Sequence, residues 1–237
     1  MNFQPQVKIP NLAANEVHVW LVRVSEEGED HLSDSEISRA LRYRKKIDRL
    51  RYRIGRSAVR KIMSGYLSLE PSKIHIMLDQ HGKPMLSKKF HSPVIDFNLS
   101  HSNELILIAF ARARRVGIDI EHIRSFPDLA RLVSRYFTEK ESLTIRSIPR
   151  PEQTSAFFSG WTRKEALLKA IGRGLQIPLN TFEVTLDPDE EKPHLSLPPA
   201  LNRGAHWELI SFSPAEEYIA ALAVEGRGWN TKSYRFA

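Results

Sequence analysis

The chain has 237 residues, room for one large domain or two modest ones, and its 41% hydrophobic content is enough for a packed core. It has no cysteine, which excludes disulfides, thiolate metal sites and a cysteine nucleophile, and it carries a formal net charge of +7. With no run of about 18 apolar residues and no signal-like start, a soluble, cytoplasmic protein with no membrane partner is expected.

The charge is local. Residues 39 to 61 hold eleven Lys/Arg and one acid, Asp48, leaving 24 basic and 27 acidic residues elsewhere. A basic patch on a mildly acidic body suits a phosphate-rich ligand or an acidic partner. Nucleic acid is the alternative ligand for such a helix, because backbone contact needs clustered Lys and Arg. That alternative gives no role to the acidic segments described below.

An N-terminal segment expected to be disordered precedes EVHVWLVRV (16–24), which alternates as a strand, and Ser33 and Glu36 of SDSE stand at capping-box spacing. A long helical region should follow, with Ala58, Val59, Ile62, Met63, Tyr66 and Leu67 at helical spacing, Gly55 as a candidate break and Pro71 beyond its end. KIHIML then reads as a strand, DQHGKP as a turn, and IDFNLSHSNELILIAFARA as two strands joined by a polar turn. The second half repeats the order: strand RVGIDIEHI, helices over roughly 127–146 and 152–172, then strands FEVTL, HWELISFS and YIAALAVE. This is an α+β plan of two similar halves, 1–115 and 116–237. Each is a small, mainly antiparallel sheet packed on a long helix, and a ligand cleft is expected between them.

In GIDIE, strand alternation puts Ile118 and Ile120 on one face and Asp119 and Glu121 on the other. Neighbouring carboxylates push each other toward protonation unless a cation sits between them or water solvates the face. In the helix AFFSGWTRKEALLKAIGRGL, Ala166, Leu167, Ala170 and Ile171 form an apolar face. Trp161, Glu165 and Lys169 line another at i, i+4 spacing, which would let Glu165 face the acidic strand. The same spacing also suits a plain solvated Glu and Lys pair.

Taken together and in order, GKP, FNLSHS, GIDIE, RYFTEKE and WTRKEALLKAIGRGL resemble the 4′-phosphopantetheinyl transferases of the surfactin-synthetase-activating type. The resemblance runs from residue 17 to beyond residue 225. It implies a monomer of two similar halves in pseudo-twofold arrangement, binding coenzyme A between them. It also implies transfer of 4′-phosphopantetheine from coenzyme A to a serine of an acidic apo carrier protein (an acyl, peptidyl or aryl carrier domain), with release of adenosine 3′,5′-bisphosphate. Carried over by motif, Asp119, Glu121 and Glu165 would hold magnesium, Lys169 would stabilise the pyrophosphate, and Glu165 or Glu141 would take the serine proton. Coenzyme A contacts would fall on Arg51, Lys83, Ser100, His101 and Lys164, with Arg39 a further contact in a less patterned region. For His101 the residues alone leave a second reading, a hydrogen-bonded turn side chain. Asn103 and Glu104 after LSHS depart from the family pattern.

Overall fold

The computed structural model describes residues 1–25, 30–87, 95–125, 127–172, 177–202 and 204–236. In chain order come β1 (Gln4–Gln6), β2 (Glu16–Arg23), α1 (Asp34–Ala40), α2 (Lys46–Leu67), β3 (Ile76–Leu78), β4 (Pro84–Leu86), β5 (Ile95–Ser102), β6 (Leu105–Arg112) and β7 (Val116–His122). Then follow α3 (Leu129–Tyr136), α4 (Glu139–Ser147), α5 (Arg150–Ile171), β8 (Glu183–Val184), β9 (Leu195–Ser196), α6 (Pro199–Asn202), β10 (Trp207–Phe212), β11 (Tyr218–Glu225) and β12 (Asn230–Phe236). Two compact units result: Asn2–Ala113 with the segment from Trp229 onward, and Arg114–Gly228.

In the N-terminal unit the sheet order is β1-β12-β2-β6-β5, with β1, β12 and β2 mutually parallel and the remaining pairs antiparallel. Its core joins Trp20, Phe97, Ile106 and Phe110 of the sheet to Val59, Ile62 and Met63 of α2, the residues whose helical spacing marked that face. The capping box forms at α1: Ser33 Oγ accepts from Glu36 N–H, and Glu36 accepts from Ser33 N–H at 2.9 Å. Three expectations change here. The start of the chain is not disordered, because β1 pairs in parallel with β12. Gly55 does not break α2, which runs through it. A Cβ at that position would lie 3.2 Å from Leu99, so the small residue lets helix and sheet approach. The helical region is instead interrupted at residues 41–45, between α1 and α2.

The C-terminal unit repeats the plan with fewer strands. β7 leads through helices to the hairpin β10–β11, whose second strand pairs with β7, as β6 pairs with β2 in the other unit. The sheet β10-β11-β7 is antiparallel throughout and packs on α5 through Ala166, Leu167, Ala170, Ile219, Ala221 and Ala223. FEVTL contributes only the two residues of β8, which pair with β9 outside this sheet. Because β12 inserts between β1 and β2, the end of the chain belongs to the N-terminal unit, not to the 116–237 half expected to contain it. Arg173, Gly174 and Leu175, the tail of the long helical motif, lie outside the described residues.

Candidate active site

Gly117 decides how β7 meets α5. A Cβ there would stand 2.1 Å from Ala166 O and 2.4 Å from Ala170 N, both backbone atoms of α5, so only glycine admits the helix at this distance. Two-residue alternation then turns Asp119 and Glu121 to the same face as Gly117, toward the helix, with Ile118 and Ile120 on the reverse. The acids are therefore not a solvated stripe: Asp119 is 5% exposed and Glu121 is half-buried.

From α5, Lys169 reaches this face. Its Nζ donates to Asp119 Oδ1 at 2.7 Å and lies 3.3 Å from Ile118 O. Glu165, one turn earlier, has its carboxyl raised above the usual range by burial. The charge on Asp119 pushes it the same way, Lys169 pulls it back, and Glu121 raises it further. Arg124 lies 3.6 Å from Glu121 at a more exposed position. The donors are all carboxylate oxygens and each raises the cost of ionising Glu165, which fits a hard divalent cation. As the side chains stand, however, among the described residues no three Asp, Glu or His groups converge closely enough to hold one.

Glu141 and Lys164 are drawn into a different arrangement. Glu141, 3% exposed, is the third residue of a capping box on α4: Thr138 Oγ1 accepts from Glu141 N–H, and Glu141 Oε2 accepts from Thr138 N–H at 2.9 Å. Its Oε1 accepts from Val184 N–H at 2.9 Å, and Lys164 Nζ lies 2.7 Å from Oε2. Lys164 is fully buried, donates also to Leu179 O (2.8 Å) and Phe182 O (2.6 Å), and stands over the Phe182 and Phe137 rings. Burial lowers its pKa and Glu141 opposes that. Expected as a proton acceptor and a coenzyme contact, the two form a satisfied buried pair that ties α4, α5 and the 179–184 segment together. The spacing T-x-x-E in FTEKE is the sequence signal that marks this role.

In the N-terminal unit, Arg51 of α2 donates from Nε to Asn103 O at 2.7 Å and from Nη1 to Asp48 at 2.9 Å. Asn103 forms the β5–β6 turn with a left-handed φ of 47°, so Arg51 stands at the hairpin tip that follows Ser100 and His101 along the chain. Both are strand residues of β5, not turn residues, Ser100 buried and His101 exposed. Lys83, in the β3–β4 turn, lies 3.5 Å from Asp96 near the other end of β5. On the order of 20 Å of strand separates the two anchor points, at about 3.3 Å per residue.

Arg39 lines a concavity of 570 Å³ with Arg42, Tyr43, Tyr52 and Arg56. Arg39 and Arg56 both stand over the Tyr52 ring, at 5.9 and 5.5 Å. Tyr52 and Arg56 were not singled out from sequence; their i, i+4 spacing on α2 was the available signal. The rest of the basic segment is not a continuous phosphate-tracking stripe. Arg60 is buried on Glu36 at 2.8 Å, and Arg53 pairs with Asp30.

Two family models match the chain: the 4′-phosphopantetheinyl transferase superfamily over residues 115–223, and the 4′-phosphopantetheinyl transferase N-terminal model over residues 26–113. The 4′-phosphopantetheinyl transferase HetI of Nostoc sp. is 35% identical over 237 residues, 97% of each chain. The chain belongs to the 4′-phosphopantetheinyl transferase superfamily. The 4′-phosphopantetheinyl transferase Sfp of Bacillus subtilis is 31% identical over 158 residues, 67% of this chain and 68% of its own. A holo-(acyl-carrier-protein) synthase of Bacillus anthracis, solved in complex with coenzyme A, aligns over 48% of this chain at 27% identity. It covers 97% of its own chain with a TM-score of 0.38, too slight a likeness to argue from. The superfamily match includes β7 and α5, which carry Asp119 and Glu165, and most of β11, the strand paired with β7.

Proposed function

We propose that the chain transfers the 4′-phosphopantetheine moiety of coenzyme A to a serine of an apo carrier protein, giving the holo carrier and adenosine 3′,5′-bisphosphate. The observation that carries this is the face of β7 and α5 on which Asp119, Glu121, Glu165 and Lys169 gather, in a chain aligned end to end with a named transferase.

The carrier serine Oγ attacks the β-phosphorus of coenzyme A, the bond to the bridging oxygen breaks, and the bisphosphate leaves with that oxygen. Glu165 takes the serine proton. It has no capping duty, whereas both oxygens of Glu141 already accept hydrogen bonds. Lys169 offers an ammonium to the pyrophosphate oxygens from the same helical face. Magnesium held by Asp119, Glu121 and Glu165 would supply further charge neutralisation for the leaving group.

Arg51, Lys83, Ser100 and His101 serve the coenzyme's phosphates, and Arg39 in the arginine-lined concavity is suited to a phosphate at its nucleotide end. Exposed Arg42, Arg44, Lys45 and Lys46 at the head of α2 give an acidic carrier a basic approach. Among the described residues no helix is long and apolar enough to cross a membrane.

Chromatographic detection of adenosine 3′,5′-bisphosphate tests the reading. It should appear when coenzyme A and magnesium are supplied with an apo carrier, and not with a carrier whose acceptor serine is replaced by alanine. Release independent of that serine would point to hydrolysis and overturn the transfer.

A further inference from the structure

The acidic site holds a cation of its own making. Asp119 Oδ1 accepts from Lys169 Nζ at 2.7 Å, at a carboxylate only 5% exposed. Asp119 is fixed: it lies mid-strand on β7, in register with Ala221 of β11. Lys169 is the movable partner. It hangs from the last turn of α5, where 27% of its side chain is exposed, so its amine can swing away without unpacking the helix. Two cations directed at one nearly buried carboxylate repel each other strongly, because screening is weak there. Arg124 is no equivalent competitor, since its contact with Glu121 is 3.6 Å long and about half its side chain is exposed.

We propose that Lys169 is the resident counter-ion of the acidic site, and that a divalent cation gains Asp119 only by displacing the Lys169 ammonium. The released amine is then free to meet the phosphates of the nucleotide substrate. Metal and polyphosphate therefore favour each other's binding through one lysine, and by linkage the coupling is reciprocal. The proposal rests on the reading of Asp119, Glu121 and Glu165 as the metal-holding set.

The test is Mn2+ binding to the full chain without coenzyme A, read from the paramagnetic resonance signal of the free aquo ion. Lys169→Met should bind Mn2+ on the order of tenfold more tightly than the parent, within the usual range of coupling between ligands. Lys169→Arg, which keeps the charge, should bind no tighter than the parent, and neither should Arg124→Gln by more than about twofold. Saturating Mn2+ should also raise the thermal midpoint of Lys169→Met further than that of the parent. Lys169→Gln serves in its place if Lys169→Met does not fold, with the same expectation.

Equal affinity of the parent and Lys169→Met, with Asp119→Asn losing Mn2+, overturns the counter-ion proposal and leaves the metal-holding set intact. Binding by none of these proteins, or binding untouched by Asp119→Asn, overturns both.

Discussion

Lys164 and Glu165 are neighbours in sequence and opposites in circumstance. Lys164 has no exposed surface, and its amine is spent on Leu179 O, Phe182 O and Glu141. Lys164→Met keeps the volume but strands a buried Glu141. The expected outcome is a loss of about 3–5 kcal/mol in denaturant unfolding, with the KM for coenzyme A unchanged under conditions where the variant is folded. A raised KM without lost stability would return Lys164 to the coenzyme site.

His18 permits a second prediction. It is fully buried, with Nε2 3.0 Å from Glu16 Oε2 and Nδ1 2.9 Å from Tyr66 Oη, which also accepts from Trp20 Nε1 at 2.8 Å. These partners are met by the tautomer in which Nε2–H donates to Glu16 and Nδ1 accepts from Tyr66. Burial lowers the pKa of His18, with Glu16 opposing. Below about pH 6.5, the ordinary histidine value, the unfolded chain takes up a proton that the folded chain refuses. Stability therefore falls as pH drops from there to the lowered folded value. Glu16 is held below the usual carboxylate range mainly by its hydrogen bond with His18, so its own contribution is lost only in more acidic solution. Urea midpoints measured from pH 7 to 5 should decline in the parent and stay nearly level in His18→Gln.

At the scale of elements, the site is the contact between β7 and α5, and Gly117 sets it. Gly117→Ala should cost ~3 kcal/mol or more, the upper end for overpacking, because the obstructing atoms are backbone. Transfer activity of the folded fraction should fall as well, since α5 carries Glu165 and Lys169; full activity in a stable variant would mean the close approach is not what positions them.

These two elements were legible in the sequence because their patterns are local. RVGIDIEHI alternates, and the helix has an apolar face with Trp161, Glu165 and Lys169 beside it. What escaped depended on distant partners. β1 is only Gln4-Pro5-Gln6 and acquires strand geometry by pairing with β12, more than 200 residues away. For Glu141 two patterns overlap: its position in FTEKE suits catalysis by resemblance, while the capping spacing Thr138-x-x-Glu141 and the ion pair with buried Lys164 tie it to the frame.

At the scale of the whole molecule, the two units share one plan, a strand, helices, and a hairpin whose second strand returns to the first. That plan was readable from the order of elements even though no residue-level repeat connects the halves. The units differ in charge chemistry. The N-terminal unit gathers arginines around Tyr52, and the C-terminal unit gathers carboxylates around Lys169. The nucleic-acid alternative fails to use the acidic set and loses Arg60 and Arg53 to internal partners.

Intact-mass measurement of apo carrier proteins, acyl, peptidyl and aryl, incubated with the chain, coenzyme A and magnesium tests the proposed transfer most directly. At least one carrier should gain the mass of one phosphopantetheine. With Glu165→Gln the rate should fall by roughly 10²–10⁴-fold while the fold is retained. A folded protein that leaves every carrier unmodified, or a Glu165→Gln variant that modifies them as fast as the parent, would contradict it.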